Sequence, residues 1–319
     1  MRIAVLKGGR SLERGVSLRS GARVEDALER LGHQVLPLDV GADLVRRLRE
    51  EQPEVAFVAL HGRDGEDGTA QELLEILGIP YTGPGVAACA KCMDKVLAKH
   101  ELRAAGVPTP DWFAFNDTAF RDLGAADTLE EIERRLGFPL VVKPARGGSA
   151  LGVKFAAEQK EVAGALVAAF SYDDRVLLER FVKGRELAVS VLGGGALPTV
   201  EAIPQESDVY DFEARYEIGR TDFVCPAELA EEQSRAVTEA ALRAYEALGC
   251  EGFSRVDLML GEAGPQVLEV NAIPGLTDTS LLPQAAEAAG IGFEGLVERI
   301  LELALERSPL ASPQSSSPR

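Results

Sequence analysis

The sequence predicts an α/β protein, α+β overall, and three stretches carry that reading. Residues 2–60 alternate short apolar runs with helical periodicity, giving β-α-β-α-β, the pattern of a parallel sheet with helices on its faces. Residues 138–156, FPLVVKPARGGSALGVKFA, read as a strand, a glycine-rich loop and a second strand. Residues 255–271, RVDLMLGEAGPQVLEVN, set two apolar runs about a Gly-Glu-Ala-Gly-Pro turn, the signature of an antiparallel hairpin. At 319 residues the chain is long for one core and is expected to divide into two or three domains.

Composition narrows the function. Hydrophobic residues make up 46% and charged residues 27%, as in a soluble globular protein. No apolar run approaches the length of a membrane span, and the opening MRIAVLKGG is too polar after six residues for a signal peptide, so a cytoplasmic location is expected. A net charge of -17 argues against non-specific nucleic-acid binding, because a phosphate backbone would be repelled. Neither nucleic acid nor membrane is expected as a partner. Cys89-x-x-Cys92 is half of a zinc or redox motif without a second pair, and His33, His61 and His100 do not follow it at finger spacing. Small packing residues on a helix are the expectation there.

In order along the chain, RIAVLK is the first strand, and Gly8-Gly9-Arg10-Ser11 turns into a helix expected from about Val16 to Leu31. Gly32-His33 ends it before the strand QVLPLDV, and a helix near Asp43 to Glu50 leads to the strand VAFVAL. Ligands of parallel sheets bind beyond the carboxyl ends of the strands, where Gly8-Gly9 and His61-Gly62 both fall. The first loop lacks G-x-G-x-x-G, and Gly-Lys occurs nowhere, which removes the dinucleotide fingerprint and the P-loop. The run from His61 to Gly68, dense in glycine and charge, reads either as a solvated turn or as part of a site. A helix is expected over Thr69 to Leu77, then IPYTGPG, then one helix containing Met93-Asp94-Lys95, near which the first domain should close.

Beyond Gly106 the segment VPTPDWFAF reads as extended, with an acidic helix near Thr128 to Leu136. Lys143 ends an apolar strand, where a buried ammonium needs an anionic partner. Gly147, Gly148, Ser149 and Gly152 form a flap whose backbone could fold over phosphates, although a plain hairpin would hold as much glycine. VLLERFV and RELAVSVL are strands whose acids, Glu179 and Glu186, either meet a nucleotide's base and ribose or face solvent. Gly193-Gly194-Gly195 is a hairpin turn before ALPTVEAI. Residues 205–226, with Tyr210, Arg215 and Tyr216, form a loop long enough to be functional or mobile. Helices follow from about Glu228 to Leu248 and from Phe293 to Glu306, and residues 308–319 have the composition of a disordered tail.

The hairpin concentrates the chemistry. Side chains alternate along a strand, so Asp257 shares a face with Arg255, and Glu269 shares one with Asn271. A carboxylate on an apolar strand loses hydration unless a cation or donor replaces it. Two carboxylates and an amide oxygen, without His or Cys, suit Mg2+, which completes its shell from water and phosphate. The loop from Ile273-Pro274-Gly275 to Ser280 is rich in hydroxyls and can aim backbone N–H groups at an anion. The alternative is a strand pair whose acids face solvent and are neutralised by Arg255.

Together these motifs resemble the D-alanine–D-alanine ligase family of ATP-grasp enzymes, over nearly all the chain except the tail. The carriers are Gly8-Gly9-x-Ser11-x-Glu13 with Val16-Ser17, His61-Gly-x-x-Gly-Glu-Asp-Gly68, Met93-Asp94-Lys95 and Lys143-Pro-x-x-x-Gly-Ser149. They continue in Tyr216, Arg255-x-Asp257 and Glu269-x-Asn271-x-x-Pro274-Gly275-x-Thr277-x-x-Ser280-Leu281. The resemblance implies an N-terminal open parallel α/β domain (1–92), a central ATP-grasp domain with the flap (93–178) and a C-terminal one with the hairpin (179–307), whose antiparallel sheets sandwich ATP.

It implies that Lys95 and Lys143 meet the α- and β-phosphates, that Glu179, Val182 and Glu186 hold adenine and ribose, and that Gly148, Ser149, Phe181 and Arg215 also contact the nucleotide. Asp257, Glu269 and Asn271 would bind two Mg2+ ions, with Mn2+ a substitute. Glu13, Val16, Ser17, His61, Arg255, Gly275, Ser280 and Leu281 would bind D-alanine, with Arg255 and Gly275 on the oxyanion and Ser149 and Tyr216 linking Glu13 to the loop. The implied activity is ATP-dependent formation of D-alanyl-D-alanine through an acyl phosphate, for peptidoglycan precursors, by a homodimer. Tyr216 favours a dipeptide over a D-lactate product. Arg215, Gly147 and Arg14-Gly15 depart from the family's usual residues. Alternatives are another carboxylate–amine ligase of the same fold or a non-catalytic nucleotide-binding regulator.

Overall fold

The computed structural model describes residues 1–204 and 221–307. Strand β1 (Arg2–Lys7) lies between β2 (Gln34–Asp39) and β3 (Val55–Val58), all parallel, as the alternation of elements requires. Helices α1 (Arg14–Arg30) and α2 (Leu44–Glu51) connect them. The buried side of α1 carries Ser17, Ser20, Gly21, Val24, Ala27 and Leu28, the spacing of one helical face. Gly21 is required there: a Cβ would stand 2.6 Å from the Cβ of Lys7 on β1. Helix α3 (Thr69–Leu77) has the expected bounds and stops at Gly78, whose φ of +68° suits glycine.

The single helix expected around Met93-Asp94-Lys95 is two: α4 (Val86–Met93) and α5 (Lys95–Ala104). Asp94 breaks the run because its carboxylate accepts from Val96 N and Leu97 N at 3.0 Å, an N-cap that needs extended backbone. The break lets Lys95 N donate to Ala145 O at 2.9 Å, fixing Lys95 beside the glycine flap.

A four-stranded antiparallel sheet follows, in the order β4 (Trp112–Asn116), β7 (Arg175–Arg180), β5 (Leu140–Pro144), β6 (Lys154–Ala156). Helices α7 (Leu129–Leu136) and α8 (Gln159–Phe170) close one face with Ile132, Leu136, Val162 and Leu166. Helices α6 (Asp117–Asp122), α8 and α10 (Leu281–Ala288) carry no clear periodic signal in the sequence; in α8 the alanine-rich run AGALVAAF has little amphipathic contrast.

The last sheet runs β11 (Thr221–Val224), β10 (Val200–Pro204), β8 (Arg185–Leu192), β12 (Phe253–Gly261), β13 (Gly264–Asn271), with β9 (Gly195–Ala196) beside β8. Helix α9 (Glu231–Leu248) begins three residues later than expected, and α11 (Phe293–Glu306) has the expected bounds. One continuous core includes Phe57 of β3, Leu28 of α1, Leu248 of α9, Phe253 of β12 and Ile300 of α11, so the parallel sheet and the last sheet are packed as neighbours. The cysteines pack as expected: all four are free, and Cys92 Sγ lies 3.6 Å from Cys250 Sγ inside that core. Among the described residues no helix is long and apolar enough to cross a membrane.

Candidate active site

The hairpin β12–β13 pairs antiparallel with Asp257 opposite Glu269 and Arg255 opposite Asn271. Val256, Leu258 and Leu260 enter the core from one face of β12, so Arg255, Asp257 and Met259 emerge on the other. The register shifts after Asp257, a bulge that turns Leu268 as well as Glu269 onto one cavity. That cavity, of about 480 Å3, lies between the two antiparallel sheets. Lys95, Lys143, Gly148, Glu179, Phe181, Val182 and Glu186 line it together with Asp257 and Glu269.

The cations reach it from two directions. Lys95 Nζ donates to Gly147 O at 2.5 Å and stands 3.4 Å from Glu269 Oε2, linking the flap to the hairpin. Lys143 Nζ donates to Glu179 Oε1 at 2.8 Å. Glu179 is 2% exposed, so the reading of it as a solvent-facing acid falls away. Burial alone would raise its carboxyl, but Lys143 and Lys99 together hold it below the ordinary range.

A second cavity, about 80 Å3, adjoins the first and shares Gly148, Glu186 and Asp257 with it. Glu13, Val16, His61, Ser149, Arg255, Asn271, Gly275, Ser280 and Leu281 line it. Residues from the parallel sheet, the flap, the hairpin and the hydroxyl-rich loop therefore meet at one place. Arg255 grips Asp257 with two parallel contacts, Nε to Oδ1 at 2.7 Å and Nη2 to Oδ2 at 2.8 Å. Thr277 N donates to Ser280 Oγ at 3.0 Å, and Ser280 immediately precedes α10, whose first N–H groups favour an anion. At Gly275 an added Cβ would approach Ser280 Oγ to 2.7 Å, so the hydroxyl would have to move.

Glu13 receives a hydrogen bond from Ser149 Oγ, which ties the flap to the parallel-sheet side. Ser149 and Ala150 both have φ of +55°, a left-handed pair costly for residues with a Cβ. His61 is buried, with Nδ1 3.1 Å from Ile273 O and Nε2 2.9 Å from Ser20 Oγ, so it fastens the hairpin's exit loop to α1. Ser17 is not brought into either cavity: its hydroxyl accepts from Gly8 N at 2.9 Å and donates to Ala59 O at 2.7 Å, joining two loops. Arg215 and Tyr216, with Tyr210, lie outside the described residues, as does the tail.

Burial raises the Glu13 carboxyl above the usual carboxylate range, and the charge of Glu66 raises it further, against Ser149, His61 and Lys95. Only the ionised form attracts an ammonium group. Lowering the pH should therefore weaken binding of an amino-acid substrate here before ordinary glutamates protonate. The pH dependence of kcat/KM for the amino acid, in wild type and Glu13→Gln, checks this; an acid limb within the ordinary carboxylate range would contradict it.

The donors fit a hard divalent cation. Asp257 and Glu269 face each other across paired strands, and among the described residues nothing hydrogen-bonds the buried Asn271 Oδ1. Among the described residues no cluster of three or more His, Cys, Asp or Glu side chains assembles, so an ion held here needs Asn271 and non-protein oxygens as well.

Residues 102–302 match the family model described as D-ala D-ala ligase C-terminus, and residues 42–84 match D-ala D-ala ligase N-terminus. The chain belongs to the D-alanine–D-alanine ligase family. It is 44% identical over 310 residues to the D-alanine--D-alanine ligase of Pelotomaculum thermopropionicum, covering 96% of this chain and 97% of that one. Among solved structures, the Bacillus anthracis D-alanine--D-alanine ligase complexed with ATP is similar at a TM-score of 0.81 and 35% identity, covering 96% of this chain and 97% of that one. A D-Ala:D-Ser ligase from Enterococcus faecalis is similar at 0.80 and 28% identity, covering 95% and 99%. The fold is accordingly ATP-grasp, with a parallel-sheet unit before two antiparallel sheets that face each other across the larger cavity.

Three site residues have no role that their sequence positions assign. Lys99, four residues after Lys95, was one lysine in a helical run; its full burial beside Glu179 is a tertiary fact. Glu66 stood within a motif already noted but had no assigned part, and it sits 3.4 Å from His61. Thr277 shares its hydroxyl with Ser280 Oγ at 2.8 Å.

Proposed function

We propose that the protein joins two D-alanine molecules into D-alanyl-D-alanine, converting ATP to ADP and phosphate. The observation that carries this reading is that the cavity holding Glu13, Arg255, Gly275 and Ser280 adjoins the cavity lined by Lys95 and Lys143, the two sharing Gly148, Glu186 and Asp257. An amino acid and a nucleotide phosphate would meet where they adjoin.

Lys95, Lys143, Gly148 and Ser149 orient the phosphates, while Glu179, Phe181, Val182 and Glu186 hold adenine and ribose. Glu13 holds the ammonium of the first D-alanine so that its carboxylate oxygen attacks the γ-phosphorus. The bond from that phosphorus to ADP breaks, leaving an acyl phosphate. The amine of the second D-alanine, its carboxylate at Ser280 and Leu281, then attacks the acyl carbon, and Arg255 with the N–H of Gly275 stabilises the oxyanion. The amine loses a proton and phosphate departs. Asp257, Glu269 and Asn271 would hold Mg2+, or Mn2+ in its place, whose charge offsets repulsion between the incoming carboxylate and the γ-phosphate. Val16 packs beside Glu13, and His61 positions the loop that carries Gly275.

The same reading places the protein in the cytoplasm, supplying peptidoglycan precursors as a homodimer, with domain divisions near residues 92 and 178. Its test is phosphate release from ATP and Mg2+ with D-alanine or L-alanine, with mass analysis of the product. D-alanine-dependent phosphate with a dipeptide product is expected. A response only when D-serine or a hydroxy acid is added as second substrate would transfer the reading to another carboxylate ligase of this fold.

A further inference from the structure

Lys99 is 0% exposed and does not line either cavity. Its ammonium uses its donors inward: Nζ donates to Thr109 Oγ1 at 2.6 Å and Pro110 O at 3.1 Å, and pairs with Glu179 Oε2 at 2.5 Å. The Trp112 ring lies 5.2 Å away on a further side. The other oxygen of Glu179 is held by Lys143, which does line the larger cavity. One buried carboxylate is thus shared by two ammonium groups.

A buried 1:1 pair would leave Lys143 neutralised and spend its charge inside the protein. With Lys99 on the opposite oxygen, the trio carries a surplus positive charge, and the member with access to the cavity is Lys143. We propose that Lys99 is a positioning residue for the nucleotide: it neutralises Glu179 from behind and thereby leaves the charge of Lys143 available to a phosphate group. The inference rests on the reading of the larger cavity as the nucleotide site. Burial pushes the Lys99 ammonium down to about 8, with Glu179 opposing the shift, so Lys99 remains a cation at neutral pH.

The test compares a ligand with phosphates against one without. ADP and adenosine affinities are measured by calorimetry in the same Mg2+ buffer for wild type and Lys99→Met, which keeps an unbranched apolar stem to Cε and removes the ammonium. ADP binding should weaken by about tenfold to hundredfold, the range of one charged hydrogen bond, while adenosine binding changes by less than about threefold. Equal losses for both ligands would make Lys99 a packing residue and overturn the inference. Unchanged ADP binding would overturn it too.

Loss of one buried cation can prevent folding, so a second variant pairs Lys99→Met with Glu179→Gln, which removes the opposing charge. Because Glu179 also belongs to the adenine and ribose side, the readout is the ratio of ADP to adenosine affinity compared with Glu179→Gln alone. That pair should regain most of the preference for ADP over adenosine, since nothing then competes for Lys143. A pair as deficient as the single variant would sink the proposal. Wild-type protein that bound neither ligand would instead remove the nucleotide reading of the cavity.

Discussion

Replacing Arg255 with alanine is expected to slow dipeptide formation by about 10²–10³-fold, the cost of losing one donor to a developing oxyanion. ATP binding should stay within a few-fold of wild type, because the lysines on the phosphate side are untouched. The structure adds a second consequence. Arg255 holds both oxygens of Asp257, which is 4% exposed, so the variant loses the fork on a buried carboxylate. A stability loss on the order of 3–5 kcal/mol is typical when one partner of a buried pair is removed. Thermal unfolding, nucleotide titration and single-turnover kinetics separate the effects. Loss of ATP binding in a folded variant would count against the oxyanion role.

Gly62→Ala is expected to act through the Glu13 carboxylate and to leave the Lys95 and Lys143 side untouched. Gly62 has φ of +70°, and an added Cβ would stand 2.3 Å from Glu13 Oε2 and 2.4 Å from Ser11 Oγ. The left-handed backbone alone costs an alanine roughly 1–2 kcal/mol. The larger effect is displacement of the Glu13 carboxylate, and misplacing a substrate-holding group by about 1 Å can cost about 10²-fold. Thus kcat/KM for the first amino acid is expected to fall by about that factor while ADP affinity is retained. Equal losses for the amino acid and ADP would indicate general disruption instead.

The sequence was most informative where local periodicity and local chemistry coincide. The alternation of Arg255 with Asp257 and of Glu269 with Asn271 placed four side chains correctly, because strand geometry leaves few choices. The bounds of α3 followed from an amphipathic run between Gly68 and Gly78, and those of α11 from one that opens after Gly292. Asp94 was misread because a helix interior and an N-cap differ only in backbone angle, and the capping oxygen is visible only in space. Ser17 was grouped with substrate residues through its motif, yet its hydroxyl is consumed by Gly8 and Ala59. Lys99 was invisible for the opposite reason: its partner Glu179 lies 80 positions away, and no spacing rule encodes that meeting.

Gly148 is common to the two cavities, and a Cβ on it would stand 3.0 Å from Glu13 Oε2. Gly148, Glu186 and Asp257 thus form the partition between the two cavities. On the proposed function, an inhibitor need not compete with ATP or with D-alanine separately. A compact molecule with an ammonium for Glu13 and an anionic arm reaching Lys143 would straddle the partition and engage both chambers, linking two modest affinities through a very short connector.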